Sequence, residues 1–210
     1  MKCYKLTDKN NQTRNGTQWG HNVSHSAEGK GENLCSDGWI HFYTNPLIAL
    51  LLNPIHANFS SPKLWEAESS GEELHESLKS GCKTLTTIKE IPLPEISDVQ
   101  KIAFGILCGK EVYKDEKWNL WADKWLSGED RTTKTAAASH ATAAAHAAVY
   151  AAHTAVAASA YAAAGNAAAA AAGNDAPYAA SAYAAPYAAA AAADDKIDFI
   201  EIAEKAMTYK

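Results

Sequence analysis

The stretch GWIHFYTNPLIALLLN, residues 38–53, decides the fold class. Its first seven residues are aromatic and β-branched with alternating character, the period of a half-buried strand. Asn45 then supplies a helix N-cap and Pro46 the fixed φ of a first helical position, so residues 45–53 continue as helix. A strand running directly into a helix predicts an α+β fold. Its neighbours agree: CYKLTD (3–8), KLWEAESSG (63–71) and KTLTTIKEIPLP (83–94) read as strands. Residues 9–37, rich in Asn, Gly, Ser and Thr, read as loops and turns. SDVQKIAFGILCGKEVY (97–113) opens on Ser97 and Gln100, close to a capping box, and reads as helix. DEKWNLWADKWLSG (115–128) sets Trp118, Trp121 and Trp125 on one helical face, a packing stripe.

Composition changes abruptly after that face. Residues 136–193 contain 36 alanines in 58 positions, while all six tryptophans and all four cysteines precede them. The expected organisation is an α+β domain over 1–130 and an alanine-rich helical hairpin over 131–210, with SGEDRTTKT (127–135) as the junction. Alanine has the highest helix propensity, so the run from Thr132 to Ala164 should be one helix. Ala137, Ala141, Ala144, Ala148, Ala151, Ala155, Ala158 and Ala162 repeat at spacings of four and three, a heptad seam made of methyl groups. Ser139, Thr142, His146, Val149, Tyr150, His153 and Tyr161 fall on the other face.

Gly165-Asn166 and Gly173-Asn174-Asp175 read as helix stops, with a second helix returning from about residue 177. That helix is expected to bring Phe199, Ile200 and Met207 back beside the tryptophan helix. A methyl seam permits unusually close helix approach, which favours packing within the chain or in a homo-oligomer. A membrane span is disfavoured by the interrupting His, Ser and Thr residues, disorder by the high helix propensity, and an ice-binding face by the lack of a regular threonine stripe.

The net charge of -5 and a chain with only two arginines, Arg14 and Arg131, argue against a nucleic-acid partner. The opening MKCYKLTD lacks an apolar signal core, and the four cysteines, Cys3, Cys35, Cys82 and Cys108, form no CxxC; reduced thiols in a cytoplasm are expected, with no membrane partner. His21, His25, Cys35 and His41 fit no zinc spacing, so no metal is expected and the histidines read as separately hydrogen-bonded. Dinucleotide, P-loop, serine-hydrolase and zinc-protease motifs are absent.

The candidate ligand-binding residues are polar and aromatic groups on or beside predicted strands: Tyr4, Arg14, Trp19, His41, Tyr43, Glu66 and Glu68. Glu66 and Glu68, two apart in a strand, point to one side, where a carboxylate can accept a ribose hydroxyl or stabilise a cation.

CYKLTD, GTQWG, LCSDGWIHFYTNPLIALLLNPIHANF, LWEAESSGE, LTTIKEIPLP, KIAFGILCGKEVY, WADKWLSGEDR and the closing IDFIEIAEKA together resemble a group of phage and prophage proteins with no assigned function. That resemblance implies a phage-encoded protein at work in the bacterial cytoplasm. GWIHFYTNP after the opening strand is similar, more faintly, to ADP-ribosyltransferase-like domains, which would make His41, Tyr43 and Glu68 the catalytic candidates and NAD the substrate. The expected function is binding without catalysis or cofactor: an accessory protein that takes a host protein or a small nucleotide-like ligand and oligomerises through its alanine-rich helices. An ADP-ribosyltransferase-like enzyme is the alternative, and a structural or ice-interacting protein the third reading.

Overall fold

A computed structural model describes residues 1–139, 155–172, 185–186, 188–191 and 197–210. Two compact units divide at Glu95 and Ile96.

The first unit is an antiparallel five-stranded sheet: β1 (Lys2–Thr7), β2 (Val23–Ser26), β3 (Ile40–Phe42), β4 (Lys63–His75) and β5 (Ser80–Ile91). Its path is β1-β4-β5-β2, and β3 also pairs with β5. β5 therefore has β4 along one edge and, on the other, β3 at residues 80–82 and β2 at 84–87. Just past β3, Tyr43 pairs with Tyr4 of β1, each amide donating to the other's carbonyl at 2.8 and 2.9 Å. That pair closes the ring β1-β4-β5-β3 upon itself. β4 carries two register shifts against β5, at Glu66/Ala67 and Ser70/Glu73, and Gly71 takes a φ of 82° in the second. Such bulges add the local bend a closed sheet requires. Inside lie Cys3, Trp19, Phe42, Ala67, Cys82 and Leu85, all buried.

The predicted helix after β3 is present as α1 (Pro46–Leu51), with the Asn45 side chain accepting from the Leu47 amide, followed by the short α2 (Asn53–His56). The loop expected over 9–37 holds one 3-10 turn, Arg14–Gly16, and the edge strand β2, which its polar sequence VSHS conceals. Asn11, Asn15, Asn22 and Asn58 are the non-glycine residues with positive φ among those described, and each begins an N-x-S/T triplet. Asparagine tolerates left-handed backbone better than other side chains, which accounts for all four as turn residues. Asn15→Ala is expected to cost about 1 kcal/mol in urea unfolding and Asn15→Gly close to nothing; equal losses would refute the conformational explanation.

In the second unit α3 (Asp98–Val112) begins with the full Ser97–Gln100 capping box. α4 (Glu116–Ser127) is capped by Asp115 and ends on left-handed Gly128, with Trp118, Trp121 and Trp125 all buried as expected. α5 (Ala155–Ala172) and α6 (Phe199–Ala206) both pack on α3, as does α4. The composition boundary at Arg131 and the compact boundary at Glu95 thus fall in different places, because α3 gathers the alanine-rich helix onto itself.

One expectation for this half is corrected. α5 runs unbroken through Gly165-Asn166. A helical glycine costs only about 1 kcal/mol relative to alanine, and the buried stripe Ala164, Ala167, Ala168 and Ala171 offsets it. α6 packs on α3: Phe199, Ile202, Ala203 and Ala206 form its buried face, and Gln100 Nε2 donates to the Met207 carbonyl at 2.9 Å. Arg131, held over the Trp125 ring, donates to the Lys210 carbonyl at 2.7 Å, so the closing residues also reach the end of the tryptophan helix. Along the methyl seam, Ala137 is exposed while its neighbour Ala136 is fully buried, which moves the inward face by one residue. Ala162 is half-buried, and Ala155 and Ala158 lie in α5. Ala141, Ala144, Ala148 and Ala151, and the turn expected at residues 173–175, lie outside the described residues. The α+β class stands; the long hairpin is not established.

Candidate functional site

The strand register sorts the candidate residues. Tyr4 pairs with Glu66 and Lys2 with Glu68 across β1 and β4. Directly paired residues point to the same face, and the Tyr4–Tyr43 bridge brings Tyr43, with His41 two residues earlier, onto it as well. Five of the seven candidates, Tyr4, His41, Tyr43, Glu66 and Glu68, therefore share one face of the sheet. Trp19 does not: it fills the opposite, interior side, donating from Nε1 to Thr13 Oγ1 at 2.9 Å and meeting the His25 ring edge-on at 4.7 Å. Arg14 is exposed on its 3-10 turn.

On the shared face the polar groups fall into two clusters. Glu66 is half-buried, with Lys2 Nζ at 3.2 Å and Lys89 Nζ at 3.8 Å, beside the half-buried Tyr4 ring. The second cluster is His41, Tyr43 and His56. His56 Nδ1 is 2.8 Å from the Tyr43 hydroxyl and its ring stacks on the phenol at 5.7 Å, while His41 Nε2 is held on the Leu34 carbonyl. Burial, then the charges of Lys79 and His41, takes His56 down to about 4; burial also lowers His41 and raises Tyr43. Both imidazoles are neutral at pH 7, and sequence alone did not mark His56, fifteen residues beyond His41, as a partner of Tyr43.

The three residues of the enzyme alternative are not gathered. Continuing the Tyr4–Tyr43 pairing sets His41 level with Leu6, whereas Glu68 is level with Lys2. Four residues of strand at about 3.3 Å each separate them by about 13 Å along the sheet, before any lateral distance is added. A shallow groove of about 420 Å³ lies elsewhere on this unit, lined by Pro62–Leu64 and Glu90–Leu93, and holds none of the candidates.

A third network joins β4 to β5. His75 contacts Ser80 Oγ through Nδ1 at 2.8 Å and Glu73 Oε2 through Nε2 at 3.2 Å, and Ser69 donates to Glu73 Oε1 at 2.5 Å. Ser80 is 3% exposed, which keeps this Ser-His-Glu chain a strand-locking network rather than a nucleophile open to substrate. His21 and His25 are bonded separately, to the Ile88 and Gln18 carbonyls. Among the described residues no group of three or more His, Cys, Asp or Glu gathers as a metal-ligand set, no helix is long and apolar enough to cross a membrane, and the four cysteines are free thiols.

The closed sheet with its paired Tyr4 and Glu66 coincides with a recognised sequence unit. Residues 1–99 match a domain of unknown function, DUF7666. The match ends close to the boundary between the compact units. No curated protein and no solved structure matches the chain.

Acid should loosen the first unit. The folded protein keeps His56 neutral where the unfolded chain, at an ordinary 6.5, takes up a proton, so stability is lost as pH falls from 6.5 towards 4. Discounted for partial exposure, the loss is about 1–2 kcal/mol, and His56→Gln should flatten it. Urea titrations at pH 7 and pH 4.5 measure both; an unchanged slope in the variant would reassign the effect.

Proposed function

We propose that residues 1–99 form a non-catalytic binding module of a phage-encoded accessory protein acting in the bacterial cytoplasm, which takes a small nucleotide-like ligand. The observation that carries this reading is the Tyr4–Glu66 pair between Lys2 and Lys89. An aromatic ring offers a base a stacking surface, a carboxylate accepts ribose hydroxyls, and two ammonium groups attract phosphate. Catalysis is disfavoured because His41 and Tyr43 already have internal partners and Glu68 stands far from them along the sheet. The alanine-rich helices are proposed to serve self-association.

Calorimetric titration of the whole protein with ADP and NAD tests the reading. Tyr4→Ala and Glu66→Gln should each weaken binding by about tenfold, a loss of about 1.4 kcal/mol, with NAD left intact. Failure of the unaltered protein to bind either nucleotide would sink the ligand class and leave a host protein as the partner. NAD consumption abolished by Glu68→Ala would instead establish an ADP-ribosyltransferase. A single-chain mass in light scattering would remove self-association.

A further inference from the structure

Cys35 and Lys79, 44 residues apart in sequence, meet at the surface of the first unit, with Lys79 Nζ 2.7 Å from Cys35 Sγ. Cys35 is exposed, whereas the other three thiols are buried. Its position is fixed by its surroundings. The preceding Leu34 is 1% exposed, packs over Gly81 of β5, and carries the carbonyl that holds His41. Trp39, four residues on, donates to the Glu32 carbonyl at 3.0 Å and lies under Lys83 Nζ, 3.9 Å from its ring centre; Lys83 also ties down the Gly38 carbonyl. On the other side, Lys79 closes the β4–β5 turn through its carbonyl, which accepts from the Glu76 amide. Two ordered segments thus present an exposed thiol and a half-buried lysine amine to each other.

We infer that Cys35 and Lys79 form a peroxide-driven, reversible covalent switch, a sulfenamide joining the 27–39 loop to the β4–β5 turn. The sulfur attacks a peroxide oxygen, the O–O bond breaks, and Cys35 becomes a sulfenic acid as the peroxide is reduced to water; sulfur gives up two electrons. The Lys79 amine, having released its proton to solvent, then attacks that sulfur. The new S–N bond displaces the hydroxyl, which leaves as water with a proton from nitrogen, so the second step involves no further oxidation. Sulfenic acids condense with a backbone nitrogen to a sulfenamide, a free amine is the stronger nucleophile, and direct contact of Lys79 Nζ with Cys35 Sγ places the two atoms within reach of that step. Thiol reductants reverse the bond. Because Leu34 carries the His41 contact, closure of the link locks the His41 side of the shared face, independently of any ligand at Tyr4 and Glu66.

The test treats the full chain with hydrogen peroxide, digests it without reductant and weighs the peptides. A linked pair containing Cys35 and Lys79, lighter than the two separate peptides by two hydrogens and released by dithiothreitol, is expected. Lys79→Arg keeps the positive charge and should abolish the link while Cys35 still oxidises; Cys35→Ser should abolish both events. Both positions are at the surface, and circular dichroism confirms that the variants fold. Cys35 recovered only as sulfinic or sulfonic acid beside an unlinked Lys79 peptide, or a linked species that persists in Lys79→Arg, overturns the proposal.

Discussion

Trp118→Ala will destabilise the second unit by about 3–5 kcal/mol, whereas Trp118→Phe will change it by less than about 1. Trp118 is 1% exposed, meets Tyr113 edge-on at 5.4 Å and Trp121 at 5.5 Å, and so removes a large apolar area from water. Alanine would leave a cavity among rings that cannot all collapse inwards. Phenylalanine keeps much of the contact and deletes the Trp118 Nε1–H, which is buried without a hydrogen-bond partner among the described residues. An unpaired buried donor costs about 1–3 kcal/mol, enough to offset the smaller ring. Denaturant unfolding followed by helix circular dichroism measures both variants. If phenylalanine proves as damaging as alanine, indole shape rather than buried area governs the site.

Lys5→Met will stabilise the first unit at pH 7 by about 1 kcal/mol. Lys5 is 8% exposed, donating from Nζ to the His41 carbonyl at 2.7 Å and lying 5.1 Å from the Trp19 ring centre. Burial brings its ammonium down to about 8 from an ordinary 10.5, and the shift corresponds to about 3 kcal/mol of disfavoured charge at neutral pH. Methionine has similar length and forfeits one charge-assisted hydrogen bond worth about 2 kcal/mol, which leaves a net gain of about 1. The pH dependence gives an independent reading. Between pH 8 and 10.5 the unfolded chain retains a proton that folded Lys5 has lost, so stability rises with pH. Burial acts oppositely on the interior thiols, raising Cys3 to about 12 and Cys82 to about 11, so above their ordinary 9.0 stability falls with pH. The native profile should climb from pH 8 to 9 and then turn down, and Lys5→Met should lose the climb. A flat native profile over that interval, or a destabilised variant, would show that Lys5 is better solvated than its burial indicates.

These two residues also mark what the sequence makes legible. The tryptophan stripe is visible as a helical period, and the Asn45 and Ser97 caps announce their helices because capping chemistry is local. Lys5 gives no such signal: within CYKLTD it reads as the polar member of an alternating strand, and only ring closure at Tyr4–Tyr43 turns its side chain inward. Closure depends on register between segments far apart in sequence, which no local pattern encodes. The same limit hid the Tyr43–His56 and Cys35–Lys79 pairs. It also bears on His41, Tyr43 and Glu68, the set implied by the resemblance to ADP-ribosyltransferase-like domains: alternation gives only a shared face, and register sets the distance along it. Gly165-Asn166 shows the opposite error: a strong local stop signal overridden by packing on α3.

The position of α3 bears on the order in which the protein is made. α3 is the first helix of its unit, yet its partners α5 and α6 begin at residues 155 and 199. The strands of the first unit, in contrast, have all been synthesised by Ile91. At about 5–20 residues per second, α3 emerges several seconds ahead of α6, with α4 but neither α5 nor α6 yet available to cover it. During that interval a nascent chain carries a complete set of strands and a partly covered helix, and chaperone demand should fall on the second unit.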